Sequence, residues 1–275
     1  MTISVHTNKT ALVALQNLNQ THDELSLVQN RISTGLAISN AKDNASIWAI
    51  AQGQRADIGA LSAVKMSLDR ATSIADVSLT AGGSVSDLLV QMKEKVVAAQ
   101  DPSLDAQSRG ALNADFKSLL RQITQVTQNA AFDGADILDG TTASIRFLAN
   151  ADANAYITLS GQNMSLGGAI ITLASTASIS TVTLAQAALV SLSASIANVN
   201  QALGNLGAQA KQIEGHNKFV SKLTDVLQAG VGNLVDADIA KESARLQALQ
   251  VQQQLGAQSL SIANQAPQII LSLFR

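Results

Sequence analysis

The sequence predicts a mostly α protein: a long antiparallel helical bundle or coiled coil formed by the N- and C-terminal segments, with a small β-hairpin insert. Three observations predict it. Aliphatic residues recur in stripes near both ends, with Leu18, Leu25 and Ile32 at intervals of seven, the spacing of a coiled-coil seam. Of 275 residues 47% are hydrophobic but only 3% aromatic, and two are proline; cores built from Ala, Leu, Val and Ile suit slender bundles in which neighbouring backbones come close. Between Arg245 and Arg275 there is no ionisable side chain, while Leu246, Leu249, Leu255, Leu260, Ile262, Ile269, Ile270 and Leu273 recur among Gln, Ser and Ala. A helix without a charged face is expected to lie among other helices rather than in water.

The first helix is expected from Ala11 to about Ile32, with Leu12, Leu15 and Val28 filling the same side as the heptad stripe. His22 reads as a rim histidine, and His6, His22 and His216 are too far apart for metal-ligand spacing. Ser33-Thr34-Gly35 and the segment 40–44 are turn-prone. A second helix follows from about Ser46, with Trp48 as a packing anchor beside the turn. Its seam pairs Leu61/Val64, Leu68/Ala71, Ala75/Ser78, Gly82/Val85, Leu89/Met92 and Val96/Ala99 in alternating steps of three and four. Helix-interior glycines such as Gly82 and Gly83 cost about 1 kcal/mol each relative to Ala. Because the period runs through them unshifted, they predict a close helix crossing rather than a break.

Asp101-Pro102-Ser103 is expected to end that helix and start the next, whose stripe is Leu112, Phe116, Leu119, Ile123, Val126 and Ala130 and which Phe132-Asp133-Gly134 closes. Two antiparallel helices joined by a short turn follow from this. From about Ile137 to Ala185 the chain becomes rich in Ser, Thr, Gly and Asn, with short β-favouring runs at 144–148, 156–159 and 169–173. Small hairpins and loops are expected there, as an ordinary surface insertion rather than a carrier of modifications. A helical stripe resumes with Leu189, Leu192, Ile196, Val199, Leu203, Leu206, Ala210 and Ile213, continues weakly through Val220 and Leu227, and meets a second expected hinge at Gly230-Val-Gly232. Asp236 and Asp238 are N-cap and first-turn residues for the last helix, a role favoured over a carboxylate pair for a cation. Pro267 is expected to kink or end that helix. Three parts result: residues 1–45 with 233–275 as an inner terminal coiled coil, 46–140 with 185–232 as a helical rod, and 141–184 as a β-rich surface insert.

A net charge of −2 supplies no basic face for nucleic acid and no polybasic patch for anionic lipid. With no cysteine there is neither a disulfide framework nor a thiolate site. Phosphate loops, HExxH, GxSxG and supported nucleophiles are missing from the sequence, so neither catalysis nor a cofactor or metal is expected. Residues 1–6 lack a basic segment followed by an apolar core, so no cleaved secretory signal is expected. No unbroken run of eighteen apolar residues occurs, and membrane insertion is not expected.

Several separated motifs, in order, resemble those of the bacterial flagellins, specifically the short kind found in alphaproteobacteria. Arg31-Ile32-Ser33-Thr34-Gly35, followed by Ile38, Ala41 and Asp43-Asn44-Ala45, is similar to the family's hinge signature. Leu206-Gly207-Ala208, Asp236-Ala-Asp238-Ile-Ala and Ala263-Asn264-Gln265-Ala266-Pro267-Gln268 before Leu271 and Leu273 resemble its closing segment. The resemblance covers about residues 1–140 and 185–275. It implies a subunit that polymerises with itself into the extracellular flagellar filament. Its terminal helices would fold on assembly and line the central channel, with Leu18, Leu25, Ile32, Leu246, Leu249, Leu260, Ile270 and Leu273 as the residues of polymerisation and of the terminal coiled coil, and Arg31, Ser33, Gly35 and Asp43 at the hinge. Further implied partners are the flagellar export apparatus and its chaperone, the filament cap and junction proteins. Two departures stand out: Ala210-Lys211 where the family often has Asn-Arg, and Gln91 and Lys95 in place of an Arg and a Leu in the segment resembling the site read by the animal innate-immune receptor. The second implies weak recognition by that receptor. The rival readings are a hook–filament junction protein and, from a different class, a secreted membrane-active helical translocator.

Overall fold

The computed structural model describes residues 7–272. Five helices and one hairpin follow in order: α1 (Lys9–Thr34), α2 (Ala45–Ala99), α3 (Ala106–Gln128), β1 (Ser144–Leu148), β2 (Tyr156–Ser160), α4 (Val182–Val235) and α5 (Ile239–Ser272). This is the mostly helical fold with a small β insert that the sequence predicts. The chain forms two compact units, one from the residues up to Ala56 together with those from Val226, the other from Asp57–Asp225.

In the Asp57–Asp225 unit, every position of the expected α2 seam from Leu61 to Ala99 is buried. The α3 helix runs back along α2, as the Lys95–Asp115 ion pair at 3.0 Å and the Arg109 Nε donation to the Ala99 carbonyl at 3.1 Å show. The α4 helix is also antiparallel to α2: Gln100 reaches the Ala185 carbonyl and Ser86 reaches Asn200. At Gly82 an added Cβ would lie 2.6 Å from Leu203 Cδ2 and 3.4 Å from Met164 Cε, whereas beside Gly83 there is open space. The glycine pair thus marks a crossing, and Gly82 is the member that permits it.

Several local expectations are corrected. The helix α3 starts five residues after Asp101, because Asp105 is its N-cap, accepting from Ser108 N at 2.7 Å; Asp101 instead holds the intervening turn through Ser103 N and Oγ. The most buried seam of α4 runs through Ala185, Ala188, Ser195 and Ala202 as well as Leu192, Val199 and Leu206, leaving Leu189, Ile196 and Leu203 half-buried at its side. Small residues take about half of the buried positions, and a count of large apolar residues misses them. Gly230 and Gly232 are no hinge: α4 continues to Val235, neither glycine takes positive φ, and Val231 and Val235 beside them are buried. Likewise α5 runs past Pro267 to Ser272. One described helix, α4, contains an 18-residue window of mean hydropathy 1.5, so by length and composition it is apolar enough to cross a membrane. Scattered Ser, Asn and Gln prevent an unbroken apolar run but do not lower the average below that level.

The hairpin pairs β1 with β2 in antiparallel register from Ser144↔Ser160 to Leu148↔Tyr156, burying Phe147 and Leu159 on one face. The run 169–173 forms only an isolated bridge, Ile171 with Leu166, the Leu173 carbonyl accepting from Gly167 N at 2.8 Å while Thr172 N donates to Ser195 Oγ of α4 at 3.0 Å. Ile171 and Leu173 are buried there as anchors. Beneath the insert, buried Asp136 accepts from Leu138 N at 2.7 Å, its second oxygen has no partner, and burial raises its carboxyl above the usual range.

Substitutions at the two glycines should therefore diverge. Gly83→Ala is expected to stabilise this unit by roughly 0.5–1 kcal/mol through helix propensity, and Gly82→Val to destabilise it by about 1–3 kcal/mol through overpacking. Denaturant unfolding of the monomer reads both.

Candidate functional site: the paired terminal helices

Asn8 begins α1, its Oδ1 accepting from Ala11 N at 3.2 Å, so one orphan donor of the first turn is satisfied. At the other end Gly35 caps the helix with φ of 72° and returns its N–H to the Arg31 carbonyl at 2.9 Å, a left-handed conformation that glycine adopts without steric cost. Asp238 starts α5 by accepting from Lys241 N at 3.1 Å. Asp236 does not share that role, since its N–H continues α4 to the Gly232 carbonyl at 2.8 Å.

The two helices pack antiparallel along seams of alternating steps of three and four. On α1 the inward positions are Ala11, Ala14, Leu18, Thr21, Leu25, Val28 and Ile32; on α5 they are Glu242, Leu246, Leu249, Gln253, Gly256, Leu260 and Ala263. At the centre Leu25, Val28 and Leu249 form a buried cluster flanked by Ile32 and Leu246. Toward one end Leu18 fills the space beside Gly256, where an added Cβ would sit 3.3 Å from its Cδ1, and Asn8 Nδ2 donates to the Ala263 carbonyl at 2.7 Å. Toward the other, Arg31 Nη1 donates to Glu242 Oε1 at 3.1 Å and Arg245 Nη2 to Glu24 Oε2 at 3.1 Å. His22 Nε2 lies 2.8 Å from the Gln253 amide nitrogen.

Backbone bonds close the hinge: Ala37 N and Ile38 N reach the Val235 carbonyl and Ala237 N reaches that of Gly35. Asp43 holds the rest of the turn, one oxygen accepting from Ser39 N at 2.9 Å, Asn40 N at 3.1 Å and Ser39 Oγ at 3.1 Å. The backbone donors of Ser39 and Asn40 are the main reason its carboxyl titrates below the usual range. Asn44 then caps α2 through Ile47 N.

Of the residues singled out from sequence, Leu25 and Leu249 are buried, and Leu18, Ile32, Leu246 and Leu260 are half-buried on the seam. Arg31 turns into the helix pair, Ser33 is exposed in the last turn of α1, and Gly35 and Asp43 shape the hinge. Ile270 belongs to α5 without a described side chain, and Leu273 lies outside the described residues. Leu12 and Leu15 do not share the stripe; Ala11 and Ala14 do, and Leu12 is 59% exposed. Sequence reading missed Glu242, which is only 8% exposed. Its signal was present, four residues before Leu246 on the same stripe.

Large apolar side chains remain uncovered on both helices, including Val13, Val251, Leu255 at 65% and Ile262 at 62% exposure. Among the described residues no group of three or more His, Cys, Asp or Glu is arranged to hold a metal ion. Fold and site together define a helical structural protein whose distant chain segments pair lengthwise and still present apolar surface.

Comparison with known proteins places it within that class. Residues 5–143 match the family model for the bacterial flagellin N-terminal helical region, and 189–274 that for the bacterial flagellin C-terminal helical region. The chain is 56% identical to flagellin FljJ of Caulobacter vibrioides over 278 residues, covering 100% of this chain and 99% of that protein. It is 39% identical to a flagellin of Brucella melitensis over 281 residues, covering 99% of each. Among solved structures, a putative flagellar hook-associated protein from Vibrio parahaemolyticus shares the fold with a TM-score of 0.56 at 15% identity, over 70% of this chain and 100% of that one. Bacillus cereus flagellin shares it with a TM-score of 0.50 at 18% identity, over 56% and 88%. The chain belongs to the bacterial flagellin family, of the short alphaproteobacterial kind.

Because the Asp43 carboxyl is held below its unfolded value, its contribution to the hinge is fully present above the normal carboxylate range and is lost as pH falls through the lower, folded value. Asp43→Ala should therefore speed exchange of the Ser39 and Asn40 amides at neutral pH. Acidification should do the same to the unsubstituted chain only below the pH at which a free aspartate has already protonated.

Proposed function

We propose that this chain is the structural subunit that polymerises into the helical flagellar filament used for swimming, outside the cell. The observation that carries the reading is the uncovered apolar surface on two helices already paired with each other, with no ionisable group on α5 beyond Arg245. Exposed large apolar residues that recur along one element, as Val251, Leu255 and Ile262 do along α5, mark an interaction surface. Further copies of the same chain would cover it, with residues 1–45 and 233–275 forming the inner coiled coil around the central channel, 46–140 and 185–232 the surrounding rod, and 141–184 the outer insert.

Assembly is then coupled to folding. In a free monomer α1 and α5 bury one narrow seam, too little to offset the ordering entropy of two long helices. In the polymer each newly buried leucine contributes roughly 1.5–3 kcal/mol, and several per subunit make addition strongly favourable. Passage through the flagellar export apparatus with a chaperone as an unfolded chain, insertion beneath the filament cap and attachment to junction proteins accompany this role. Flagellin membership favours it over a junction protein or a membrane-active translocator; the apolar surface of α4 is then packed against neighbouring subunits. Gln91 and Lys95, the latter tied to Asp115, support weak recognition by the innate-immune receptor.

Leu260→Asp should leave export intact and abolish growth on short filament seeds followed by electron microscopy, because it places a charge on the α5 seam. Normal filaments from that variant would refute the reading. In cells carrying the receptor, activation by the purified filament protein should fall well below that of a recognised flagellin.

A further inference from the structure

The centre of the α1/α5 seam is aliphatic on both sides, with Leu25, Val28, Leu246 and Leu249 in one cluster. Such a seam is degenerate, since sliding one helix by a heptad presents leucine to leucine again. From Leu246 to Ser272 α5 has no ionisable residue that could penalise a slip. Alignment must be chosen by what flanks that centre: the hinge backbone bonds of Ala37, Ile38 and Ala237 at one end and the side chains that cross between the helices. The charges at the start of α5 are the ones that touch α1: Glu242, which occupies a seam position and is buried, and Arg245. Their partners on α1, Glu24 and Arg31, carry opposite signs one heptad apart.

We propose that Glu242, paired with Arg31, is the register lock of the terminal helix pair, the positioning residue that selects a single alignment as the subunit folds into the filament. The inference rests on the reading of α1 and α5 as the pair that forms on assembly. A one-heptad slip in one direction sets Glu24 opposite buried Glu242 and drives Leu18 from the gap beside Gly256 toward Leu249. The opposite slip moves Glu242 beyond Arg31 into the hinge and sets Arg31 opposite Leu249. Either way a buried carboxylate loses its cation, and the Leu18–Gly256 fit and the hinge backbone bonds are given up with it. The pair is held by one hydrogen bond, with Arg31 Nε and Glu242 Oε2 both buried without partners. That geometry suits a device for specificity rather than for strength, the best-attested use of a buried ion pair.

The absence of cysteine permits a direct test on the full chain. A Cβ at position 256 would lie 3.9 Å from that of Leu18, within disulfide range. Leu18→Cys/Gly256→Cys therefore reports the native register, and Leu18→Cys combined with Leu249→Cys or with Ala263→Cys reports a slip in either direction. In filaments grown on seeds and oxidised, only the first pair should link efficiently. Adding Glu242→Arg should cut that linkage about tenfold and raise a slipped one, or halt growth, and adding Arg31→Glu as well should restore both native linkage and growth. Unchanged linkage with Glu242→Arg, or failure of the double reversal to restore it, overturns the lock. Absence of native linkage in normally growing filaments without the charge changes instead overturns the pairing of α1 with α5 on assembly, and the lock falls with it.

Discussion

Lengthwise packing of α1 against α5 is the interaction on which the site depends. It joins segments more than two hundred residues apart in sequence through a seam one residue wide, with a leucine-rich centre, a Leu18–Gly256 fit toward one end and ion pairs toward the other. A two-helix seam of this width is a marginal structure in water. Its outward faces mix polar residues with exposed Leu12, Val13, Val251, Leu255 and Ile262, apolar surface that the isolated pair leaves in water. The hinge serves the same end. Gly35, Asp43 and the Leu36/Asp236 backbone pairing fix where α1 stops and α5 starts.

The unit built from residues 57–225 follows another logic. Its seam is continuous and its approach distances are set by small residues: Gly82 beside Leu203, and Ala185, Ala188 and Ser195 along α4. Within one chain α3 and α4, both antiparallel to α2, pack along this seam.

Much of this was legible in the sequence because periodicity survives where packing is regular. The α2 seam was readable from Leu61 to Ala99, and the hairpin from its two β-favouring runs. What misled was residue size. Leu12, Leu15 and Leu189 look like seam residues, yet the more buried positions beside them are Ala11, Ala14 and Ala188, because a stripe of large apolar residues does not register the small ones that face the neighbouring helix. Gly230, Gly232 and Pro267 read as punctuation, but each costs a helix only locally, and the surrounding pattern outweighs them. Glu242 went unnoticed because a carboxylate is not counted in an apolar stripe. Its burial becomes visible only when Arg31 is seen beside it.

The central claim is that the terminal helices gain their stability from neighbouring subunits. Hydrogen exchange of the α1 and α5 amides in monomer and in seeded filament tests it most directly. The account predicts fast exchange along both helices in the monomer and strong protection in the filament, while α2 amides between Leu61 and Ala99 are protected in both. Equal protection of α1 and α5 in monomer and filament would contradict it.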